Sequence, residues 1–306
     1  MKTTLVGYTG FVGGNLAREH DFDRLYNSKN IGEAFETEQG LVVYSGVRAE
    51  KFLANSDPDA DRKIIENAID NIRRMKPEKL VLISTIDVYG NPKGVDEATP
   101  IDTDGLQAYG RNRYMLERWV SENIEDFHIV RLPGLFGRGL KKNFIYDMIT
   151  LVPEMLKEDK YGVLCEQSRL VADSYVKAPN GFYKLVADEK KRALLREFFE
   201  TNEFNSLKFT DSRAVYQFYN LENLWHDINI VIENGIRLQN ISSEPVSAAE
   251  IYKFVNGGEF VNEISSSPVF YDWRSLYADR FSGKDGYIYD KMTILSEIKD
   301  RIRQGI

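Results

Sequence analysis

The sequence predicts an α/β fold that is built on a doubly wound parallel sheet. Short apolar runs, suited to strands buried on both faces, alternate with helical segments through about residue 131. The connections between the runs are long enough for crossover helices, and a glycine-rich turn follows the first run, as in a Rossmann-type sheet. The alternation breaks after Gly137, which predicts a smaller, interleaved C-terminal substrate-binding region.

The first part of the chain contains the elements of this sheet. We predict strands at 3–7, 24–27, 41–45, 80–85 and 128–132, and helices at 11–18, 58–75 and 104–124. The second of these helices begins with Pro58 and has acids in its first turn. Ile64, Ile65, Ala68 and Ile72 follow at helical spacing, which predicts a helix that flanks the sheet.

The second part of the chain has weaker patterns. We predict helices at 141–157, 189–200, 222–233 and 247–255. Ser247, with Glu250 three residues later, is typical of a capping box at the start of the last of these. Residues 238–241 could return as a strand to the main sheet, so the two parts of the chain are expected to interleave.

Composition excludes several classes of protein. The 306 residues, 42% apolar and 28% charged, can bury one large core or two smaller ones. No run approaches the roughly 18 apolar residues of a membrane span, and no cleavable signal precedes the first strand, which predicts a cytoplasmic protein without a membrane partner. Cys165 is the single cysteine and there are three histidines, so neither a disulfide nor a metal site is expected. A net charge of -7 disfavours nucleic-acid binding.

The glycine-rich turn predicts a dinucleotide site. Glycines at this spacing let the backbone turn tightly and approach a pyrophosphate, while the following helix N-terminus offers N–H groups and partial positive charge. The alternative is a loop in which the glycines stand by chance. On the first interpretation residues 1–140 form an NAD(P)-binding domain and 141–306 a substrate-side region, of which about 205–245 returns to the sheet. The candidate cofactor ligands here are Gly7, Thr9, Gly10, Phe11, Val12 and Gly13.

The ends of the second and third predicted strands bear on the type of cofactor. An acid after the second strand would bind the adenosine ribose, whereas a basic residue would accept a 2′-phosphate. Asn27, Ser28 and Lys29 include no acid and favour NADP over NAD, unless Lys29 is only a solvated loop charge. Further candidates follow the third strand; they are Ser45, Gly46, Arg48 and Lys51. The two charged residues among them could also be surface charges.

A second motif joins the fourth strand to the next helix. Ser84 and Thr85 end the strand, and Tyr109 follows 24 residues after Thr85. The hydroxyl groups of Thr85 and Tyr109 are expected to converge at the carboxyl end of the sheet, where open α/β sheets bind ligands. Each residue could instead have only a structural role, Thr85 at a strand end and Tyr109 as a partly buried tyrosine.

Four segments together resemble the extended short-chain dehydrogenases/reductases. They are the glycine turn, Ser84-Thr85 with Val88-Tyr89-Gly90, Tyr109 with Arg113, and Arg131-Leu132-Pro133-Gly134-Leu135-Phe136-Gly137. The resemblance spans about residues 1–140 and resumes weakly at 212–221 and 240–247. It implies an NAD(P)-dependent epimerase, dehydratase or reductase that acts on a nucleotide-linked sugar through a keto intermediate.

The resemblance also implies catalytic roles. Tyr109 would be the acid/base, Thr85 would hydrogen-bond the same substrate oxygen, and Arg113 stands where the family has a lysine that holds the nicotinamide ribose. A guanidinium is planar and effectively never deprotonated, so this change is not conservative. Arg113 could still lower the pKa of Tyr109 through its charge, or it could be a solvated helix cation that pairs with Glu117.

Substrate-side residues are implied in the same way. Pro133 would contact the nicotinamide, and Gly134 stands where many sugar-modifying relatives have asparagine. Three of the substrate candidates have a structural alternative: a turn cap for Asp87, loop shaping for Tyr89 and an ion pair for Arg213. Tyr216, Phe218, Tyr219 and Trp225 could stack on a base or belong to the core. The substrate candidates are Asp87, Tyr89, Gly134, Asn143 and Arg213.

Two functions therefore compete. The first is an active NAD(P)-dependent enzyme with a nucleotide sugar as substrate, which could form a homodimer through the helix that carries Tyr109. The second is a catalytically silent, NAD(P)-binding regulatory or scaffold protein. Arg113 and Gly134, where the sequence departs from the family, motivate the second.

Overall fold

A computed structural model describes residues 1–305 of the chain. Its strands are β1 (Thr3–Val6), β2 (Arg24–Tyr26), β3 (Gln39–Tyr44), β4 (Pro77–Thr85), β5 (Lys93–Val95), β6 (Phe127–Leu132), β7 (Gly134–Phe136), β8 (Met155–Leu156), β9 (Tyr175–Lys177), β10 (Tyr183–Leu185), β11 (Val215–Tyr216), β12 (Phe218–Asn220), β13 (Leu238–Asn240), β14 (Val246–Ser247) and β15 (Asp272–Trp273). Its α-helices are α1 (Phe11–Glu19), α2 (Lys51–Ser56), α3 (Pro58–Met75), α4 (Ala108–Asn123), α5 (Phe144–Thr150), α6 (Glu158–Gln167), α7 (Arg169–Ala172), α8 (Glu189–Thr201), α9 (Leu224–Glu233), α10 (Ala248–Asn256) and α11 (Lys291–Gln304). Within this described part, none of the helices has the length and apolar character that crossing a membrane requires.

The chain divides into two compact units. The first consists of Met1–Gly139, Val215–Val246 and Phe270–Glu297. The second consists of Leu140–Ala214, Ser247–Val269 and the described residues from Ile298 onward. Each unit therefore combines segments that are distant in the sequence.

Six parallel strands form the main sheet of the first unit. Their order is β13-β6-β4-β3-β1-β2, and every neighbouring pair is parallel. The chain moves outward in one direction from β1 to β2 and in the other from β3 onward, so the strand order reverses between β1 and β3. Ligands of open α/β sheets bind at such a reversal, beyond the carboxyl ends of the strands. The predicted fold class is confirmed.

Apolar side chains cover both faces of this sheet. Successive residues of a strand point to opposite faces. Along β3, Leu41 and Val43 join one buried cluster with Leu5, while Val42 and Tyr44 join the other with Ile65 of α3. Burial on both faces explains why these strands are continuous apolar runs in the sequence.

Two glycines let α1 pack against the end of β1. Gly7 has φ +91°, and a Cβ atom there would lie 2.6 Å from the Ser45 carbonyl oxygen. A Cβ atom on Gly13 would lie 2.3 Å from the Gly7 carbonyl oxygen. These glycines are therefore required by close backbone approach at the reversal between β1 and β3.

Several predicted helices have the expected ends. α3 has the predicted bounds, with the Asp57 carboxylate accepting a hydrogen bond from Ala60 N (3.0 Å). α10 begins with the predicted capping box, in which Ser247 and Glu250 each accept from the other's backbone N–H. Local capping chemistry was thus sufficient to place these two helices.

The second unit has its own small sheet and core. The antiparallel strands β8, β10 and β9 lie beside α6 and α8, and Leu164, Leu195 and Phe199 are buried between them. The prediction of one helix over 141–157 was wrong, because α5 ends at Thr150. Leu151 adopts φ 57°, outside the helical region, and Pro153 follows two residues later.

The two adjacent glycines of α1 allow a matched test of the β1–α1 packing. We expect Gly13→Ala to lower the free energy of unfolding by roughly 1–3 kcal/mol, because its Cβ would overlap the Gly7 carbonyl. Gly14→Ala is the control, since its Cβ would lie 3.4 Å from the nearest atom, the Tyr8 carbonyl oxygen. Alanine there should leave stability unchanged or raise it by about 0.5–1 kcal/mol through helix propensity. Urea unfolding of the two variants checks this, and equal stabilities would contradict the packing argument.

Candidate active site

A cavity of about 470 Å³ lies in the first unit, beyond the carboxyl end of β4. It is lined by Lys51, Thr85, Ile86, Asp87, Tyr89, Gly90, Pro92, Gly105, Leu106, Gln107, Gly110, Pro133, Gly134, Tyr216, Gln217, Phe218, Tyr271 and Trp273. This volume is within the range of small-molecule sites. The cavity lies at the carboxyl end of the sheet, where the sequence analysis expects a ligand.

The Thr85 and Tyr109 side chains lie together at the edge of this cavity. Thr85 lines the cavity, and its side chain is close enough to that of Tyr109, which is only 7% exposed, to lower the Tyr109 pKa. Gly110 allows this approach, because a Cβ atom there would lie 2.1 Å from the Asp87 carbonyl oxygen. α4 therefore packs directly against the turn that follows β4, and sequence analysis did not anticipate this role of Gly110.

The surroundings of Tyr109 favour its neutral form. Burial raises the pKa of Tyr109 above its usual value of 10.0, and the nearby Asp87 carboxylate raises it further. The Arg113 charge and the hydrogen bond with Thr85 lower it, but burial is the largest effect. Arg113 thus lowers the pKa of Tyr109, as the sequence analysis expected, but burial raises this pKa by more. The Tyr109 phenol is consequently protonated at neutral pH.

Arg113 is committed to partners inside the protein. It is 5% exposed, forms an ion pair with Asp61 of α3, and donates a hydrogen bond to the Arg48 carbonyl oxygen (2.5 Å). Its guanidinium carbon lies 4.0 Å from the centre of the Tyr109 ring. The alternative of a solvated cation that pairs with Glu117 was wrong, because Arg113 is buried and its carboxylate partner comes from another helix.

Glu117 belongs to a second buried ion pair. Both of its oxygens accept from Arg131 of β6, the shortest distance being 2.6 Å to Nη2, and Ser84 Oγ donates to it at 2.5 Å. Arg131 also donates to Tyr89 Oη (2.7 Å), and Tyr89 Oη in turn donates to the Asp96 carbonyl oxygen (2.6 Å). The Ser84 and Tyr89 hydroxyl groups are therefore held by this network beside the cavity.

The glycine turn presents backbone N–H groups at the reversal between β1 and β3. Gly10 is the N-cap of α1 and makes no side-chain cap, so the N–H groups of Phe11, Val12 and Gly13 lack intrahelical acceptors. Thr9 and Gly10 are exposed at this turn. The absence of a capping side chain, together with the glycine contacts, fits the diphosphate of a dinucleotide.

The other cofactor candidates border the same turn. Asn27 Oδ1 accepts from Lys29 N (2.9 Å), which shapes a loop that leaves Ser28 and Lys29 exposed. Ser45 Oγ donates to the Val6 carbonyl oxygen (2.8 Å), so this hydroxyl links β3 to β1. The remaining two candidates follow β3 and are exposed; they are Gly46 and Arg48. The Arg48 guanidinium lies 3.7 Å from the Glu50 carboxylate.

Aromatic side chains form one wall of the cavity. The Tyr216 ring lies 5.4 Å from Phe218 and 6.3 Å from Tyr271, and Tyr271 lies 5.7 Å from Trp273. Gln217 fixes this wall, because its side chain donates to the Trp273 carbonyl oxygen (2.8 Å) and accepts from Trp273 N (2.8 Å). In the sequence, Gln217 stands between Tyr216 and Phe218. A polar residue between two aromatic ones could have indicated this role, but the sequence analysis did not predict it.

Local packing explains the glycine at position 134. Gly134 pairs with Phe218 between β7 and β12, and a Cβ atom there would lie 3.2 Å from both the Gln217 carbonyl oxygen and the Phe218 ring. A side chain would therefore crowd the strand that carries the aromatic wall. Pro133, the preceding residue, also lines the cavity.

The remaining substrate candidates have structural partners in the second unit. Asn143 is the N-cap of α5 and accepts from Ile145 N (3.0 Å) and Tyr146 N (3.1 Å). Arg213 pairs with Asp211 (2.9 Å) and Glu263 (2.9 Å), and its hydrogen bonds hold the pKa of the Asp211 carboxyl well below its usual range. For Arg213 the structure supports the ion-pair alternative. Tyr219 and Trp225, in the first unit, pack with its apolar core.

This fold and site define a class of protein. A doubly wound sheet, a glycine turn at its reversal and a Thr–Tyr hydroxyl pair beyond β4 are the features of the extended short-chain dehydrogenases/reductases, as the sequence predicted. The family profile described as RmlD substrate binding domain matches residues 1–168, more than half of the chain. The chain belongs to this family, which is one of NAD(P)-dependent reductases and epimerases.

Solved structures share the fold. A dTDP-4-dehydrorhamnose reductase from Bacillus anthracis str. Ames, in complex with NADP, has 16% identity and a TM-score of 0.63 over 99% of each chain. L-threonine 3-dehydrogenase from Trypanosoma brucei has 12% identity and a TM-score of 0.62 over 99% of this chain and 96% of its own. The Bordetella bronchiseptica enzyme WbmG, in complex with NAD and UDP, has 14% identity and a TM-score of 0.54 over 88% and 84%. No curated protein sequence matches the chain significantly.

The buried position of Asp61 leads to a stability prediction. We expect Asp61→Ala to lower the free energy of unfolding by about 3–5 kcal/mol, because the Arg113 charge would remain buried without its partner. Glu66→Ala, on the same helix, is the control: Glu66 pairs with Arg62 on the surface, and its loss should cost no more than about 0.5 kcal/mol. Denaturant unfolding measures both. Similar losses in the two variants would show that the Asp61–Arg113 pair is not a major source of stability.

Proposed function

We propose that this protein is an NADP-dependent reductase of a keto group on a nucleotide-linked sugar, with Tyr109 as general acid. The observation that carries the proposal is the Thr85–Tyr109 hydroxyl pair at the edge of a 470 Å³ cavity. The pair offers two hydrogen-bonding groups to one substrate oxygen, which is what protonation of a ketone needs. Epimerisation and dehydration through a keto intermediate use the same groups in part.

The cofactor would lie across the reversal between β1 and β3. Phe11, Val12 and Gly13 would bind its diphosphate through their N–H groups, with Ser28 and Lys29 beside the adenosine ribose. When bound, NADPH supplies the hydride that adds to the carbonyl carbon. The complexes of the two similar structures, one with NADP and one with NAD, support this assignment.

Tyr109 would provide the proton that completes the reduction. As hydride reaches the carbonyl carbon, the Tyr109 O–H bond breaks and its proton passes to the carbonyl oxygen, which gives an alcohol and a tyrosinate. The raised pKa of Tyr109 keeps the phenol protonated before this step. Thr85 would hold the same oxygen during the transfer. This protonation state favours reduction over the reverse reaction, which needs a base.

The aromatic wall supports a sugar as the substrate. The wall, formed by Tyr216, Phe218 and Tyr271, offers apolar surface to the C–H face of a ring. Asp87 and Gln107 line the cavity and could bind hydroxyl groups. The names of similar structures, a dTDP-4-dehydrorhamnose reductase and a complex with UDP, support a nucleotide-linked sugar. The cytoplasmic location and the homodimer stay predictions.

A second function has one observation in its favour. Arg113 stands where a lysine would hold the nicotinamide ribose, and its guanidinium is instead occupied by Asp61 and the Arg48 carbonyl. A protein that binds the cofactor without turnover would be compatible with this arrangement. Turnover of a keto sugar by the purified protein separates the two functions.

The acid role of Tyr109 has a direct test. We expect Tyr109→Phe to lower kcat for NADPH-dependent reduction of dTDP-4-dehydrorhamnose by roughly 10²- to 10⁴-fold, since the proton donor is lost. NADPH affinity should stay within about twofold, because the cofactor site keeps its contacts. Stopped-flow absorbance gives the rate and nicotinamide fluorescence gives the affinity. A Tyr109→Phe variant with normal turnover would remove the proposed mechanism.

Cofactor preference depends on Lys29 in this proposal. We expect Lys29→Ala to weaken NADPH binding about tenfold, through loss of one phosphate contact, and to leave NADH binding unchanged. Lys63→Ala, an exposed lysine of α3, is the matched control and should change neither affinity. Fluorescence titration with both cofactors measures this. Equal effects of Lys29→Ala on NADPH and NADH would show that Lys29 does not read the 2′-phosphate.

A further inference from the structure

A lysine–carboxylate pair lies inside the cavity beside the hydroxyl pair. Lys51 Nζ is 2.6 Å from Asp87 Oδ1, and both residues line the cavity together with Thr85. The Lys51 side chain is 48% exposed, whereas that of Arg113 is 5% exposed. The cationic group that adjoins the cavity is therefore the Lys51 ammonium.

The position of Lys51 is fixed by its own helix. Lys51 begins α2, and Asn55 of the same helix accepts a hydrogen bond from Tyr109 N (3.0 Å). Asn55 also donates to Gln107 Oε1 (2.7 Å), just before α4. These contacts tie α2 to the start of the helix that carries Tyr109. The Lys51–Asp87 pair is consequently held next to the turn that follows β4.

The proposed reaction creates a charge that this site must stabilise. Proton transfer from Tyr109 leaves a tyrosinate in a buried position, where burial and the Asp87 carboxylate both disfavour negative charge. Asp61 is a further negative charge near Tyr109, and Arg113 is the opposing positive one. Since Arg113 and Asp61 form a buried pair, part of the Arg113 charge is already compensated. A positive charge on the cavity side would offset the Asp87 carboxylate.

We propose that Lys51 is a positioning residue that supplies this charge, acting through Asp87 on the Tyr109 oxygen. Its ammonium holds the Asp87 carboxylate, offsets the repulsion between Asp87 and the tyrosinate, and adds to the charge effect of Arg113, whose guanidinium also lies against the Tyr109 ring. This inference rests on the proposed reductase function. The resemblance places the cation that supports the tyrosine on α4, at position 113. This proposal places part of that electrostatic support on α2.

The test compares three lysine variants. Lys51→Met removes the charge, Lys51→Arg keeps it, and Lys63→Met is an exposed control on α3. We expect Lys51→Met to lower kcat for dTDP-4-dehydrorhamnose roughly tenfold to a hundredfold, with KM changed less, because the charge acts mainly after proton transfer begins. Lys51→Arg should recover most of the loss, and Lys63→Met should match the wild type.

A second measurement does not depend on turnover. Alkaline ultraviolet difference titration, with the Tyr109→Phe protein as reference, follows ionisation of Tyr109 alone in the cofactor-free protein. Compared with Lys51→Arg, whose guanidinium stays charged at alkaline pH, Lys51→Met should move this titration to higher pH, and Asp87→Asn should move it to lower pH. In the double variant the two effects should largely cancel. Circular dichroism at each pH verifies that the proteins remain folded.

The outcomes separate this inference from the proposed function. A loss of kcat in Lys51→Met, its recovery in Lys51→Arg and the shifted titration together support the role of Lys51. Rates and titrations like those of Lys63→Met would overturn it, even if Tyr109→Phe is inactive. Normal turnover in Tyr109→Phe would instead overturn the proposed function, and the titration would still report whether Lys51 acts on Tyr109. If Lys51→Met does not fold, Lys51→Gln takes its place in both measurements, and an unchanged rate and titration would overturn the inference.

Discussion

The buried ion pair between Arg113 and Asp61 is the interaction on which the arrangement of the site depends. It joins α4 to α3, and the hydrogen bond from Arg113 to the Arg48 carbonyl adds the segment that follows β3. The same guanidinium lies against the Tyr109 ring. One side chain thus fixes the orientation of the candidate acid relative to the cofactor side of the sheet. Such a pair is costly to bury and more costly to break, so it constrains all three elements at once.

Two buried arginines lock the same helix from different sides. Arg113 holds α4 against α3, while Arg131 of β6 holds Glu117, two turns after Tyr109, against the sheet. The Ser84 hydroxyl joins this second pair, and Arg131 continues to Tyr89 at the cavity. Proton transfer requires the donor to be held near its productive position, and a helix locked at both points provides that rigidity. The polar groups next to the cavity are accordingly structural supports as well as candidates for substrate contact.

The sequence was sufficient for features that local chemistry determines. The bounds of α3 and the capping box at Ser247 depend on residues within one or two helical turns, and the glycine turn depends on close backbone contact. The partner of Arg113 was not predictable in this way. Glu117 is its neighbour at i+4, yet Asp61, 52 residues away, is the carboxylate that shares its buried surface. Gln217 and Leu151 are similar cases. The hydrogen-bond partner of Gln217 is distant in the sequence, and the left-handed backbone conformation of Leu151 is not indicated by its residue type.

We propose that Arg113, at the position where the resemblance implies a lysine, reflects a division of labour between two cations. A lysine could contact a ligand and support the tyrosine from one position, whereas the planar guanidinium makes several hydrogen bonds and is held by them inside the protein. Its charge is then compensated by Asp61 and contributes less to the reacting oxygen. The burial of Tyr109 makes that oxygen sensitive to any remaining charge, since electrostatic interactions are stronger where water is excluded. In the proposed reaction, chemistry at Tyr109 would therefore depend on the charges that face the cavity, and among its lining residues these are Lys51 and Asp87.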